Sequence, residues 1–182
     1  MEYLAVMENK GHNYQSLQVT DSALMNEAAF NDWIVSTQKS LVRFCRQIVG
    51  DWSEAEDMAQ EAYIRAWQKR GMFKGESSLL TWQMSIARRV CLDHLRRSKR
   101  TNMVLFEECE ASTEQDIDLV IDVQNALKKL DANDRILLYM RIGEEMTFDD
   151  ISQVLGKSPV TCRKRFERVK KKFENTYNGR KE

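Results

Sequence analysis

Only one proline, Pro159, and seven glycines occur in the 182 residues. Together they make about 4% of the chain, where average usage is about 12%. Sandwiches and barrels turn every roughly 8 to 12 residues and place Gly and Pro at those turns, so the shortage nearly excludes an all-β fold. The expectation is an all-α chain of two small helical domains joined by an acidic linker, the second with a helix-turn-helix. An apolar fraction of 42% suffices for one or two modest cores. No run approaches the roughly 18 consecutive apolar residues of a membrane helix, and Glu2 and Glu8 stand where a leader peptide is basic. A cytoplasmic protein is expected.

The four cysteines, Cys45, Cys91, Cys109 and Cys162, are scattered and form no C-x-x-C pair, so they read as reduced thiols. Cys91 and His94 fall on one helical turn, but two ligands do not make a zinc site. Neither a metal nor a cofactor is expected.

Twenty-eight basic and 28 acidic residues cancel, yet the cancellation is not local. From Met84 to Met103 the net charge is +5, from Val104 to Asp122 it is −7, and from Lys157 to Lys172 it is +7. One such run is usually a solvated helix face. Two basic blocks, each on a helix with an apolar opposite side, point instead to a polyanionic partner.

Residues 1–25 show no sustained period and read as a loose extension. Phe30, Trp33, Ile34, Thr37, Leu41, Phe44, Cys45 and Ile48 recur at three- and four-residue steps, the stripe of an amphipathic helix ending near Gly50. Ser53 is the expected cap of the next helix, whose buried stripe is Ala55, Met58, Ala62 and Ala66. Leu79, Trp82, Ile86 and Val90 begin a third, with Arg89, Arg96 and Arg100 on its other face. These helices form a first domain over 26–102. The acidic stretch 103–119 reads as a linker. A second domain over 120–182 opens with a helix through Ile121, Ala126, Leu127 and Leu130, and Asp131 caps the next. Thr147 begins a capping box for a short helix closed by Gly156, and Ser158 with Pro159 opens the last, whose buried stripe is Cys162, Phe166, Val169 and Phe173. A short helix, a glycine turn and a longer basic helix describe a helix-turn-helix, whose second helix fits the DNA major groove.

With these motifs placed, the chain from Phe30 to Phe173 resembles the extracytoplasmic-function (ECF) class of bacterial RNA polymerase sigma factors. Three segments carry the likeness. The first, Ser53 to Trp67, is similar to the family's polymerase-docking helix. That implies contact of Asp57, Gln60 and Glu61 with the clamp-helix coiled coil of the β′ subunit of core RNA polymerase, the β subunit being a further partner. The bare alternative is a solvated bundle face. The second runs from Phe73 through Trp82 to Arg97 and resembles the region that melts the promoter and reads its minus-ten element. That likeness assigns Arg88, Arg89, Arg96, Arg97 and Arg100 to promoter DNA, where charge and stacking on aromatic rings hold a separated strand. Trp82 also fits the core stripe. Arg89 stands where the family has Asn, which puts the minus-ten base preference in question.

The third segment, Ser158 to Arg168, looks like the minus-thirty-five reader, with Val160 in place of the usual Gly. Its implied DNA set is Ser158, Thr161, Arg163, Lys164, Arg165, Glu167 and Arg168. Arg163 and Lys164 suit guanine edges, Glu167 suits a cytosine amino group, and Arg165 and Arg168 suit phosphates. Too little chain separates the domains for another between them, so the likeness is to the minimal two-domain class. It implies a non-enzymatic subunit that directs transcription initiation, with an anti-sigma factor as a further partner. In the family the linker runs through the polymerase, where its acids imitate RNA; a charged spacer is the alternative.

Two other functions stand against this reading. A stand-alone helix-turn-helix regulator would account for the last helix but not for the helix ending at Trp67 or for two basic faces. A nuclease would need convergent carboxylates, whereas Glu54, Glu56, Asp57 and Glu61 spread around one helix.

Overall fold

A computed structural model describes residues 26–98 and 122–178. The expected extension 1–25, the linker 103–119 with its acids, Cys109 and Arg100 lie outside these residues. Helix α1, Glu27–Val49, starts at Asn26, whose side chain accepts from the Ala28 N–H at 2.9 Å. It stops at Gly50, whose φ of 90° glycine adopts without steric cost. The expected stripe is its buried face, from Phe30 and Trp33 to Phe44 and Ile48.

Helix α2, Trp52–Lys69, begins earlier than its sequence suggests. Asp51, not Ser53, is the cap, its carboxylate accepting from the Glu54 N–H at 2.9 Å. The turn at Gly50 leaves Asp51 extended, and a charged oxygen there meets both the free N–H groups and the positive end of the helix dipole. Ala55, Ala59, Ala62 and Ala66 make its buried ridge, with Met58 only partly covered. These small side chains let α2 lie close on α1. Trp33 meets Tyr63 edge-on at 5.6 Å and Phe30 meets Trp67 at 4.9 Å, closing the upper core. After a 3-10 turn at Arg70–Met72, helix α3, Leu79–Ser98, packs on both through Leu79, Met84, Ile86, Ala87, Val90 and Cys91.

The second domain opens with a helical stretch over 122–128, α4, which buries Val123, Ala126 and Leu127. Helix α5, Ala132–Leu138, is capped by Asp131, which accepts from the Asp134 N–H at 2.9 Å. It runs on into a π-helical turn, Tyr139–Gly143, invisible to a periodicity of 3.6 because it inserts one residue. Helix α6, Phe148–Leu155, is capped by Thr147 at 3.1 Å and ends at Gly156, φ 64°. Helix α7, Pro159–Asn178, has Pro159 at its first position and Ser158 accepting from the Thr161 N–H at 3.2 Å. α6, the glycine turn and α7 are the helix-turn-helix. The described residues contain helices and no strands, so the chain is all-α with two helical units.

These two units are not separate in space. Helix α5 packs on α1 and α6 packs on α3, so the second domain sits against the first.

Candidate protein-docking and nucleic-acid interfaces

Three outward helix faces carry the candidate residues. On α2, Asp57 and Gln60 are exposed and Glu61 is partly so, on the side opposite the alanine ridge. Helical spacing puts all three within one stripe. Glu61 is held by Arg65 at 2.7 Å, an exposed pair of small energetic weight. Ile64 belongs to the same stripe, four residues after Gln60, and is 55% exposed. Its sequence position assigns it to neither the buried stripe nor the docking set, although its helical phase places it beside Gln60. A carboxylate, an amide and a bare branched side chain in one line make a surface suited to another protein.

On α3, Arg89, Arg96 and Arg97 are exposed. Arg89 and Arg96, two turns apart, share a face, and Arg96 also reaches Asp93 at 3.0 Å. Arg88 differs from them. It is partly buried and its Nη2 donates to Asn133 Oδ1 of α5 at 3.2 Å. Burial lowers its pKa, and the neighbouring charges of Arg89, Arg165 and Arg96 lower it further. Trp82 is partly buried and tilts against Phe73 with ring centres 5.3 Å apart, so both rings pack at the edge of the core.

On α7, Ser158, Thr161, Arg163, Lys164, Glu167 and Arg168 are exposed. Ser158 and Thr161 already have a task, their hydroxyls lying 2.8 Å apart at the helix cap. Arg163, Lys164, Glu167 and Arg168 follow the 3.6-residue period around one outer arc, presenting three cations and one carboxylate to a groove. Arg165 does not join them. Its Nε donates to Asp134 Oδ1 at 2.7 Å and its Nη2 reaches Asp131 at 3.2 Å, tying α7 to the start of α5. With Asp134 only 6% exposed, this pair anchors the second helix of the helix-turn-helix to α5.

Among the described residues no three His, Cys, Asp or Glu side chains gather to hold a metal ion. Cys45 of α1 and Cys91 of α3 are buried and free, and a thiol hydrogen bond between them, with burial, raises the Cys45 pKa. High pKa and burial both make a thiol unreactive. No described helix is long and apolar enough to cross a membrane.

The arrangement defines a class: a two-domain helical protein whose second domain presents a cationic helix-turn-helix. Comparison narrows it. Residues 33–101 match the family model for Sigma-70 region 2, and residues 121–173 match that for Sigma-70, region 4. The two cover about two thirds of the chain. Among curated proteins, the ECF RNA polymerase sigma factor SigW of Bacillus subtilis is 23% identical over 160 residues, 79% of this chain and 86% of that protein. The probable RNA polymerase sigma factor RfaY of Xanthomonas campestris is 24% identical over 164 residues, 82% of this chain but only 40% of the longer relative. The fold is similar to that of the sigma factor RpoE of Bartonella quintana, solved with the anti-sigma factor NepR. That likeness has a TM-score of 0.70 at 19% identity and covers 82% of this chain and 96% of RpoE.

The chain belongs to the sigma-70 family, in its ECF class, and is a promoter-directing sigma factor of RNA polymerase. Sigma factors act in transcription initiation without chemistry of their own.

Proposed function

We propose that each outward face has one partner. The α2 stripe of Asp57, Gln60, Glu61 and Ile64 docks on the β′ clamp helices of core polymerase, with Ile64 as its apolar anchor. Arg88, Arg89, Arg96, Arg97 and Arg100 hold the minus-ten strand as it separates, neutralising phosphates while the bases leave the stack. On α7, Arg163, Lys164 and Glu167 read base edges of the minus-thirty-five element and Arg168 holds a phosphate. Arg165 is a positioning residue in this scheme: paired with Asp134, it orients the reader helix and adds positive potential behind it. Binding energy from two elements of one promoter, joined through the polymerase, then selects the start site. The reading places the chain in the bacterial cytoplasm and makes an anti-sigma factor a second protein partner, as NepR is for RpoE.

The observation that supports this reading is the coexistence of an exposed stripe on α2 that includes the bare Ile64 with a separate exposed cationic arc on α7. A stand-alone operator-binding regulator has no use for the first. Gel filtration with core polymerase tests the difference. Co-elution of the chain with core in equal amounts is the expected result. A chain that elutes as a dimer and ignores core would be the stand-alone regulator.

A further inference from the structure

Helix α7 carries one apolar side chain on its outer face. Val160 is the second residue of the helix, after Pro159, and is 64% exposed. Among the described residues it is the one exposed large apolar side chain of the second domain. A single apolar side chain on a surface is ordinary, so exposure alone says little. The place of Val160 says more. At about 100° per residue it lies about 40° from Lys164, about 60° from Arg163 on the other side and about 20° from Glu167, in the middle of the outer arc. It also stands at the N-terminal end of α7, and that end of a recognition helix meets base edges.

The first turn of α7 is held firmly. Pro159 fixes one φ, Ser158 Oγ accepts from the Thr161 N–H at 3.2 Å, and the Cys162 N–H donates to the Ser158 carbonyl at 3.0 Å. A valine in a helix keeps one rotamer about 90% of the time, so the two methyl groups of Val160 have a set direction. At this exposure they add little to folding. Arg163, one turn on, is steadied by α6, its guanidinium lying 5.3 Å from the ring centre of half-buried Phe148. The reader face therefore offers an apolar spot with a cation on either side.

In the major groove the base-pair edges present donors and acceptors, and thymine alone adds an apolar group, its C5 methyl. The valine side chain has neither donor nor acceptor. Against guanine, adenine or cytosine it would strip water from polar groups without replacing the lost bonds, whereas against the thymine methyl it buries apolar surface on both partners. From the position, phase and chemistry of Val160 we propose that it is a specificity-determining residue, which reads the methyl group of one thymine in the minus-thirty-five element. The proposal rests on the assignment of α7 to that element. Val160 precedes Arg163 by about 4.5 Å and Lys164 by about 6 Å along the helix, against about 3.4 Å per base pair, so the thymine is expected within about two base pairs of the one that Arg163 reads.

Uracil is thymine without the C5 methyl, so exchanging the two bases tests that group by itself. Holoenzyme reconstituted from core polymerase and the full chain is titrated at one fixed salt concentration. The probes are duplexes carrying the minus-thirty-five element mapped upstream of start sites that require the chain, each with one thymine of either strand replaced by uracil. One replacement is expected to weaken binding by about fourfold, the effect of one buried methyl group, and the others by less than about 1.5-fold. Val160→Ala keeps the helix and shortens the side chain, and is expected to bring the thymine-to-uracil ratio at that position below about 1.5, while Val160→Ile keeps it near the parent value. A merely structural role would shift all duplexes alike and leave the ratio unchanged. An element with no thymine near the base pair of Arg163, no uracil effect at any position, or an undiminished ratio in Val160→Ala overturns the proposal. Arg163→Ala and Lys164→Ala, titrated on base-pair variants of the same duplex, separate it from the reading beneath it. Discrimination lost by these variants with no uracil effect in the parent overturns the role of Val160 alone. If both variants bind every duplex as the parent does, the assignment of α7 to the element falls, and the proposal with it.

Discussion

The Nε of Arg135 donates to the carbonyl of Gln47 at 3.1 Å, so a side chain of the second domain caps the C-terminus of the first helix of the first. The last four carbonyls of any α-helix lack partners within it. In α1 the Gly50 N–H takes Arg46, and Arg135 takes Gln47. Its Nη1 also donates to the Leu130 carbonyl at 2.6 Å, so one guanidinium joins the C-terminal ends of α1 and α4, where helix carbonyls carry partial negative charge. Arg135 is 3% exposed, and burial lowers its pKa.

Arg135→Met keeps the volume of the side chain and removes both bonds. Charge-assisted bonds contribute about 1.5 to 3 kcal/mol each, with some returned because the desolvated cation is gone, so a net loss of about 2 to 4 kcal/mol is expected. Urea unfolding followed by helical circular dichroism measures it. A variant as stable as the parent would mean that the bonds do no more than balance the burial of the charge.

Tyr139 gives a pH signature to the same seam. Burial, reinforced by Glu144, raises its pKa well above the ordinary value of about 10. A raised folded-state pKa makes a contribution that is complete below the unfolded value and is lost as pH rises through the folded one. The stability advantage of the parent over Tyr139→Phe is therefore expected to hold constant from pH 7 to about 9 and to shrink above about 10. Urea midpoints of the two chains across that range check this, and a constant difference to pH 11 would contradict it.

Arg163→Ala and Arg165→Ala separate reading from positioning. The first removes an exposed cation from the reader face and is expected to lose about 1 to 3 kcal/mol of discrimination at one base pair of the minus-thirty-five element. The second leaves buried Asp134 without its main partner and is expected to lower stability by about 1 to 3 kcal/mol and to weaken binding to all sequences alike. Promoter-variant titrations and thermal melts on both chains distinguish them. A uniform loss for Arg163→Ala would make it a phosphate contact.

Much of this architecture was legible in the sequence. The apolar stripes of α1, α3 and α7, the Asp131, Thr147 and Ser158 caps and the Gly50 and Gly156 stops all lie in local pattern, because each depends on residues within four positions. The Ser53 cap failed for a local reason too, since Asp51 offers a stronger acceptor two residues earlier. What local pattern could not carry was tertiary. The inward turn of Arg165 depends on Asp131 and Asp134, more than thirty residues away, and the burial of Arg88 depends on Asn133. Ile64 was visible by helical phase, since it shares the stripe of Asp57 and Gln60.

The α2 assignment is tested by Asp57→Ala with Gln60→Ala. Both side chains are exposed and outside the core, so helicity and melting temperature are expected to stay within about 2 °C of the parent while affinity for core polymerase falls by about tenfold or more. Ile64→Ser is expected to act in the same direction without touching a charge. Co-purification of either variant with core as efficiently as the parent would remove its residues from the docking surface.

Transcription itself is the most direct measurement. Purified core polymerase is supplied with genomic fragments in the presence and absence of the chain, and run-off products are mapped to their start sites. The expected result is a set of discrete transcripts that require the chain, share elements upstream at the minus-ten and minus-thirty-five positions, and disappear with Asp57→Ala and Gln60→Ala. Transcripts that are identical with and without the chain, from a polymerase that another sigma factor can activate, would contradict its assignment as a promoter-directing subunit.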